Sequence, residues 1–140
     1  MMMHETQIRV RYGETDQMGY VYYGNYALYY EMGRTEALRS LGLTYKGFEE
    51  IGIMMPVSSM NCKFIKAARY DDLLTIKTTI KSMPTVKMDF DYEITNEQGE
   101  LVHTGQSTLV FIDMKTGRIT RAPQQLIEKM EPYYNGQNKN

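Results

Sequence analysis

The sequence predicts an α+β protein in which one long helix covers one face of an antiparallel sheet. Three observations lead there. From Pro56 onward, apolar and polar residues alternate with period two in several successive runs. Short turns join those runs, and connections that short allow only antiparallel neighbours. Ahead of them, near Gly24, begins a stretch of helical period with a broad apolar face, which is the economical cover for such a sheet.

In residues 6–12, Ile8, Val10 and Tyr12 alternate with Gln7, Arg9 and Arg11, the pattern of a half-buried strand. Residues 13–24 carry Gly13, Gly19 and Gly24 among polar groups and read as a structured loop. At about 100° per residue, Tyr26, Tyr29, Tyr30, Gly33, Ala37 and Leu41 fall within an arc of about 120°. Glu31, Arg34, Thr35, Glu36 and Arg39 take the rest of the circumference, with Leu28 and Met32 among them. Gly33 and Ala37 are small and lie mid-stripe, where a helix could approach a sheet closely, and Gly42 is a plausible stop after about 17 residues.

Residues 57–66 form the next expected strand, followed by a break at Ala67-Ala68-Arg69-Tyr70-Asp71-Asp72. Leu74, Ile76, Thr78 and Ile80 then alternate with Thr75, Lys77, Thr79 and Lys81. After a turn at Ser82-Met83-Pro84, Val86, Met88, Phe90, Tyr92 and Ile94 oppose Lys87, Asp89, Asp91 and Glu93. Asn96-Glu97-Gln98-Gly99 reads as a hairpin turn, and 101–112 as a last strand before the Lys115-Thr116-Gly117 turn. Pro123 opens a short helix expected to close before Pro132, and residues 135–140 are expected to be a disordered tail. Residues 1–134 make one domain on this reading.

The composition, 42% apolar and 24% charged, is that of an ordinary soluble domain, and the net charge of −1 excludes a strongly basic nucleic-acid binder. No apolar run reaches the roughly 18 residues of a membrane span, and Met1 to Glu5 lacks a secretion signal. The single cysteine, Cys62, excludes an internal disulfide and suits a reducing compartment, so the expected location is the cytoplasm. No Cys, His and carboxylate spacing suggests a metal, and no cofactor is expected. Of the twelve tyrosines, seven crowd into residues 12–30, where a ring with a polar tip suits a pocket or an interface as well as a core.

The stretch Glu14 to Tyr26 ends on the N-terminus of the predicted helix. The first amides of a helix have no internal partners and carry partial positive charge, so they can hold an anion or a developing oxyanion. Asp16, on the same loop, could reach the same carbonyl; its alternative reading is a loop residue that accepts from backbone amides. A nucleophile built on Cys62 would need His4 or His103, of which His4 lies at the terminus and His103 reads as an ordinary hydrogen-bonded strand histidine.

The run Arg11-Tyr12-Gly13-Glu14-Thr15-Asp16-Gln17-Met18-Gly19-Tyr20-Val21-Tyr22-Tyr23-Gly24-Asn25-Tyr26, followed by Tyr30-Glu31-Met32-Gly33-Arg34-Thr35, resembles the 4-hydroxybenzoyl-CoA thioesterase family of hotdog proteins. So does the corner Phe64-Ile65-Lys66-Ala67-Ala68-Arg69-Tyr70-Asp71-Asp72-Leu73, and strand order and lengths match over residues 5–121. The resemblance implies a five-stranded antiparallel sheet wrapped around one long central helix, in homodimers or homotetramers with active sites between subunits. It implies hydrolysis of acyl-CoA to free acid and CoA, with the family's catalytic aspartate at Asp16 and its carbonyl-polarising backbone N–H at Tyr23. In one branch of the family that second position is histidine, whereas this chain has tyrosine.

Gly19, Val21, Tyr22, Asn25 and Tyr26 would then line the substrate site. Lys66 and Arg69, with Lys63 beside them, are candidates for the CoA phosphates, and Lys115, Arg118 and Arg121 form a second cationic cluster. Asp16 could attack directly or act as general base on water. Glu31 is a second carboxylate candidate, since other hotdog branches place an acid on the central helix; its plainer reading is an ion pair with Arg34 or Arg39. An acyl-carrier-protein thioesterase, or a non-catalytic acyl-thioester binding protein, would share most of these features. Acyl chain length and aromatic or aliphatic preference stay open.

Overall fold

The computed structural model describes residues 1–138, with side chains through Tyr134. Strand β1 (Met2–Arg9) leads through two 3-10 turns, Tyr12–Glu14 and Tyr23–Asn25, into helix α1 (Tyr26–Ser40). A short helix α2 (Tyr45–Glu50) and strand β2 (Ile53–Met54) follow, then β3 (Val57–Phe64), β4 (Leu73–Ile80), β5 (Lys87–Thr95) and β6 (Leu101–Val110). Strand β7 (Ile112–Asp113) pairs with β2, and helix α3 (Gln124–Asn138) is the last element among the described residues. The main sheet has five strands in the order β1-β4-β5-β6-β3, with every pairing antiparallel. Helix α1 lies across one face of it, which is the hotdog arrangement. Among the described residues no helix is long and apolar enough to cross a membrane.

The period-two pattern maps onto burial within the strands, whereas Tyr12 and Val86, expected on the same faces, lie beyond the ends of β1 and β5 and are exposed. Leu74, Ile76, Thr78 and Ile80 of β4 and Met88, Phe90, Tyr92 and Ile94 of β5 are all buried beneath α1. The expected helix stripe is buried too, from Tyr26 to Leu41, and it is widened by Leu38 and Arg34. Arg34 is the departure. Its Nε donates to Tyr45 Oη and one terminal nitrogen to Tyr92 Oη, both at 3.2 Å, so a charged side chain sits inside on phenol acceptors.

Several elements differ from the sequence expectation: β3 and β6 end at Phe64 and Val110, short of 66 and 112, and β2 and β7 were not expected. β1 pairs with β4 from Met2 to Arg9 instead of spanning 6–12. It stops because the Arg11 N–H is taken by the Glu14 carboxylate at 2.8 Å, which turns the chain away from the sheet. Helix α2 was not expected; Thr44 caps it, its Oγ1 accepting from Gly47 N at 2.9 Å. Helix α3 continues through Pro132 rather than closing before it. Beyond the proline, Tyr133 O accepts from the Met1 amine and Tyr134 Oη donates to Ile80 O, so both neighbours hold the segment against β1 and β4. The expected tail at 135–140 overlaps the last residues of α3, and residues 139 and 140 lie outside the described residues.

Two glycines set the depth at which α1 sits. A Cβ on Gly33 would strike Thr78 Oγ1 and Ile76 of β4, and one on Gly105 would overlap Oη and Cζ of the Tyr30 phenol. Tyr30 cannot retreat, because its ring stacks on Tyr92 at 4.2 Å and its hydroxyl is hydrogen-bonded to His103 Nε2. Gly105→Ala is therefore expected to lower unfolding free energy by about 2–3 kcal/mol, as overpacking of a tight core does. Gly13→Ala, with open space around the site, should change it by less than about 0.5 kcal/mol. Urea unfolding of both variants at one protein concentration measures the contrast, and equal midpoints would refute it.

Candidate active site

Residues 14–22 form a tight hairpin. Tyr22 N donates to Glu14 O at 2.9 Å, Thr15 bridges Val21, and Asp16 N donates to Tyr20 O at 2.8 Å. At the tip, Gly19 N returns to Asp16 O at 3.0 Å, with Gly19 at φ +82°, a left-handed conformation that glycine adopts without strain. Asp16 thus stands at the tip of one arm, and the other arm runs straight into the 3-10 turn that opens α1. Within that entry, Asn25 N donates to Tyr22 O and Tyr26 N to Tyr23 O. Among the described residues, the amides of Tyr23 and Gly24 donate to no other group of the chain. These are the exposed N–H groups of a helix whose body is buried.

The Asp16 side chain does two things at once. Its Oδ1 accepts from Met18 N at 2.9 Å and from Tyr20 N at 3.3 Å, which is the turn-bracing role. Its Oδ2 has no hydrogen-bond partner among the described residues. The carboxyl faces an open cleft of ≈ 700 Å³ lined by Tyr12, Gly13, Thr15, Asp16, Gln17, Tyr22 and Asn25. On the far side of the 20–22 segment lies a smaller groove of ≈ 240 Å³, walled by Tyr20, Val21, Tyr26 and residues 64–68.

The expected site residues therefore divide. Asp16, Tyr22 and Asn25 share the cleft, while Val21, Tyr26 and Lys66 line the groove. Gly19 serves the turn, and the Tyr23 ring is exposed and packs on Tyr22 at 4.5 Å between centroids. Asn25 does not cap the helix; its Nδ2 donates to Glu14 O at 2.8 Å. Arg69 lies 4.8 Å over the Tyr20 ring, and Lys66 is paired with Glu100 at 2.5 Å. Glu31 pairs with neither arginine: Arg34 is held by tyrosines, and Arg39 pairs with Glu36 at 3.4 Å.

Two residues behind the site carry more than their sequence pattern suggested. His103 is fully buried, and burial pushes its pKa down to about 4, so it is neutral at pH 7. Its ring stacks on Tyr26 at 4.0 Å, with Phe64 edge-on to both, and this clamps the first residue of α1. Glu14 is buried as well. Burial alone would raise its carboxyl, but the Arg11 amide, the Arg11 guanidinium and the Tyr29 hydroxyl all donate to it and bring it below the usual range. The only sequence sign of this was the Arg11–Glu14 spacing, which is common in loops.

Comparison with known proteins agrees with the fold. The model of the thioesterase superfamily matches residues 18–111. A putative acyl-CoA thioesterase, YneP of Bacillus subtilis, is 34% identical over 116 residues, covering 83% of this chain and 84% of its own length. The crystal structure of a DHNA-CoA thioesterase from Staphylococcus aureus superposes with a TM-score of 0.83 at 32% identity, covering 99% of this chain and 88% of that one. An Asp-to-Asn variant of 4-hydroxybenzoyl-CoA thioesterase in complex with 4-hydroxybenzoyl-CoA superposes at 0.81 with 28% identity, covering 91% and 97%. With its five-stranded sheet around a central helix and these matches along most of its length, the chain belongs to the thioesterase superfamily and is a thioester hydrolase.

Proposed function

We propose that this enzyme hydrolyses acyl-CoA thioesters to free acid and CoA, with Asp16 activating the attack and the Tyr23 N–H holding the developing oxyanion. One observation carries the reading: a single hairpin presents a carboxylate with an unpartnered Oδ2 and runs directly into a helix entry with two unpartnered amides. The CoA thioesters named in the related enzymes support the choice of substrate.

A thioester releases a thiolate, a good leaving group, so a strong general acid is dispensable. What the reaction needs is carbonyl polarisation and an attacking oxygen. The buried α1 dipole and the Tyr23 amide supply the first. Asp16 supplies the second, either through a mixed anhydride that water opens or by deprotonating a water. Lys66, which lines the smaller groove, and Arg69, over the Tyr20 ring that also lines it, would meet the CoA phosphates.

The site is proposed to lie between two copies of the chain. β3 is an edge strand with Val57, Met60 and Phe64 all exposed, and a second β3 alongside would cover them. Light scattering at micromolar concentration should then give at least twice 16.3 kDa. A fully active monomer would overturn the shared site.

Asp16→Ala should abolish turnover, lowering kcat by roughly 10²–10⁴ while acyl-CoA affinity changes little. Asp16→Asn belongs beside it, because slow deamidation would reveal itself as residual activity that grows with time. The panel includes aliphatic acyl-CoAs of several lengths, one aryl-CoA and one acyl-carrier protein. Folded Asp16→Ala protein with near wild-type hydrolysis would remove the assignment. Wild-type protein that binds acyl-CoA and hydrolyses none of the panel would favour a binding protein.

Tyr23→Phe keeps the backbone donor, so kcat should stay within about tenfold of wild type. A loss of several hundredfold in steady-state assays would mean that the phenol itself takes part.

A further inference from the structure

The loop arm that carries Asp16 is attached to α1 by hydrogen bonds at one residue only. Among the described residues 12–16, Glu14 alone reaches the helix or its entry turn. Its Oε1 accepts from Tyr29 Oη at 3.0 Å, and its main-chain oxygen accepts from Asn25 Nδ2 at 2.8 Å. The same main-chain oxygen accepts from Tyr22 N at 2.9 Å and closes the base of the hairpin. On the outer side, Oε1 accepts from Arg11 N at 2.8 Å, while Oε2 takes Arg11 Nε at 3.2 Å and a terminal nitrogen at 2.9 Å. Tyr29 is itself fully buried and edge-on to Tyr26 at 5.5 Å.

Asp16 lies two residues beyond Glu14 on the first arm, and Tyr23 lies one residue beyond Tyr22 on the second. The second arm is continuous with the helix. The first is registered against it through Glu14. We propose that Glu14 is a positioning residue for thioester hydrolysis, setting the separation between the Asp16 carboxylate and the Tyr23 N–H by clamping the Asp16 arm to Tyr29 of α1.

The physical case is one of tolerance. An attacking oxygen and an oxyanion donor must meet one carbonyl from two directions, and a misplacement of about 1 Å can cost about 10²-fold in rate. Hairpin hydrogen bonds fix the two arms relative to each other at their base. Val21 N, donating to Ala68 O at 2.8 Å, ties the second arm to the neighbouring corner, and Asn25 Nδ2 holds Glu14 O from the entry turn. The buried Glu14–Tyr29 contact is the link from the first arm to the body of α1 itself. Glu14 touches no reacting atom in this scheme. It acts through Asp16, so the proposal rests on the reading of Asp16 and Tyr23 given above.

Glu14→Gln replaces one acceptor oxygen by an NH₂ group. At Oε2 it faces the Arg11 guanidinium and removes the pair that orients the carboxyl, and at Oε1 it faces Arg11 N and displaces the acceptor of Tyr29, so either orientation loosens the clamp without opening a cavity. Tyr29→Phe removes only the hydroxyl that reaches Oε1. Steady-state kinetics on an acyl-CoA hydrolysed by the wild type should show kcat reduced at least about tenfold in Glu14→Gln and several-fold in Tyr29→Phe, with KM within about twofold in both. The double variant should be no slower than Glu14→Gln alone, because both act on one contact. Circular dichroism and melting at the assay temperature establish that each protein is folded, which separates mispositioning from a smaller folded fraction. Should Glu14→Gln fail to fold, Tyr29→Phe alone decides. Folded variants with wild-type kcat, a loss confined to KM, or additive losses in the double variant would each overturn the proposal. An inactive Asp16→Ala beside a fully active Glu14→Gln defeats this inference alone, whereas an active Asp16→Ala defeats the site reading on which it stands.

Discussion

Helix α1 reaches its depth in the sheet because Gly33 and Gly105 leave room for it, one from the helix side and one from β6. With a Cβ at Gly33 the helix would have to lift off Thr78, and with one at Gly105 the Tyr30 phenol that the helix carries would have to lift off β6. Much else follows from that close seat. Tyr30 lies flat on Tyr92, Tyr92 shares a hydrogen bond with Ser107 at 2.6 Å, and the buried Arg34 donates to the same Tyr92 hydroxyl. Phenols are used here where aliphatic side chains would fill the volume equally well. A helix pressed this tightly against a sheet leaves polar atoms without water, and each tyrosine hydroxyl can both donate and accept.

A helix held at that depth also presents its N-terminus in a defined place. Tyr26, its first residue, is fixed by His103 from β6 and Phe64 from β3, and it walls the groove between the hairpin and the 64–68 corner. His103 suits this role because burial keeps it uncharged: a neutral imidazole can stack on a phenol and accept a hydrogen bond from Tyr30. The amides of Tyr23 and Gly24 are then the positive end of a helix that is shielded along its length, where a partial charge acts through less water than at a free surface.

How much of this the sequence discloses depends on which interactions are periodic. β4 and β5 alternate so regularly that each buried position could be named, and the α1 stripe emerged from spacing alone. Arg34 escaped because a guanidinium on a helix is ordinarily solvated; its acceptors, Tyr45 and Tyr92, lie 11 and 58 residues away. Pro132 misled for the opposite reason. It is a strong local signal against helix, and contacts from Tyr133 and Tyr134 to distant residues override it. Around the site, Asp16 and the helix entry stood out through their neighbours in the chain. Glu14 did not, since its significance lies in Tyr29 and Asn25, on the far side of the hairpin, and no local pattern encodes that meeting.

The two roles of Asp16 first look like competing explanations, a brace or a catalyst. The carboxylate geometry makes them compatible. Oδ1 is committed to the Met18 and Tyr20 amides, which fixes the plane of the group and aims Oδ2 at a constant angle. On the proposed reading this is preorganisation: the attacking oxygen needs no reorientation because its twin is already bound. Either route preserves the brace. If Oδ2 forms an anhydride with the acyl group, Oδ1 becomes the carbonyl oxygen of that anhydride and still accepts from both amides. If Oδ2 takes a proton from water, Oδ1 again keeps its partners. Turn stability and reactivity are thus carried by different atoms of one side chain, and loss of the Asp16 charge should affect rate far more than it affects the fold.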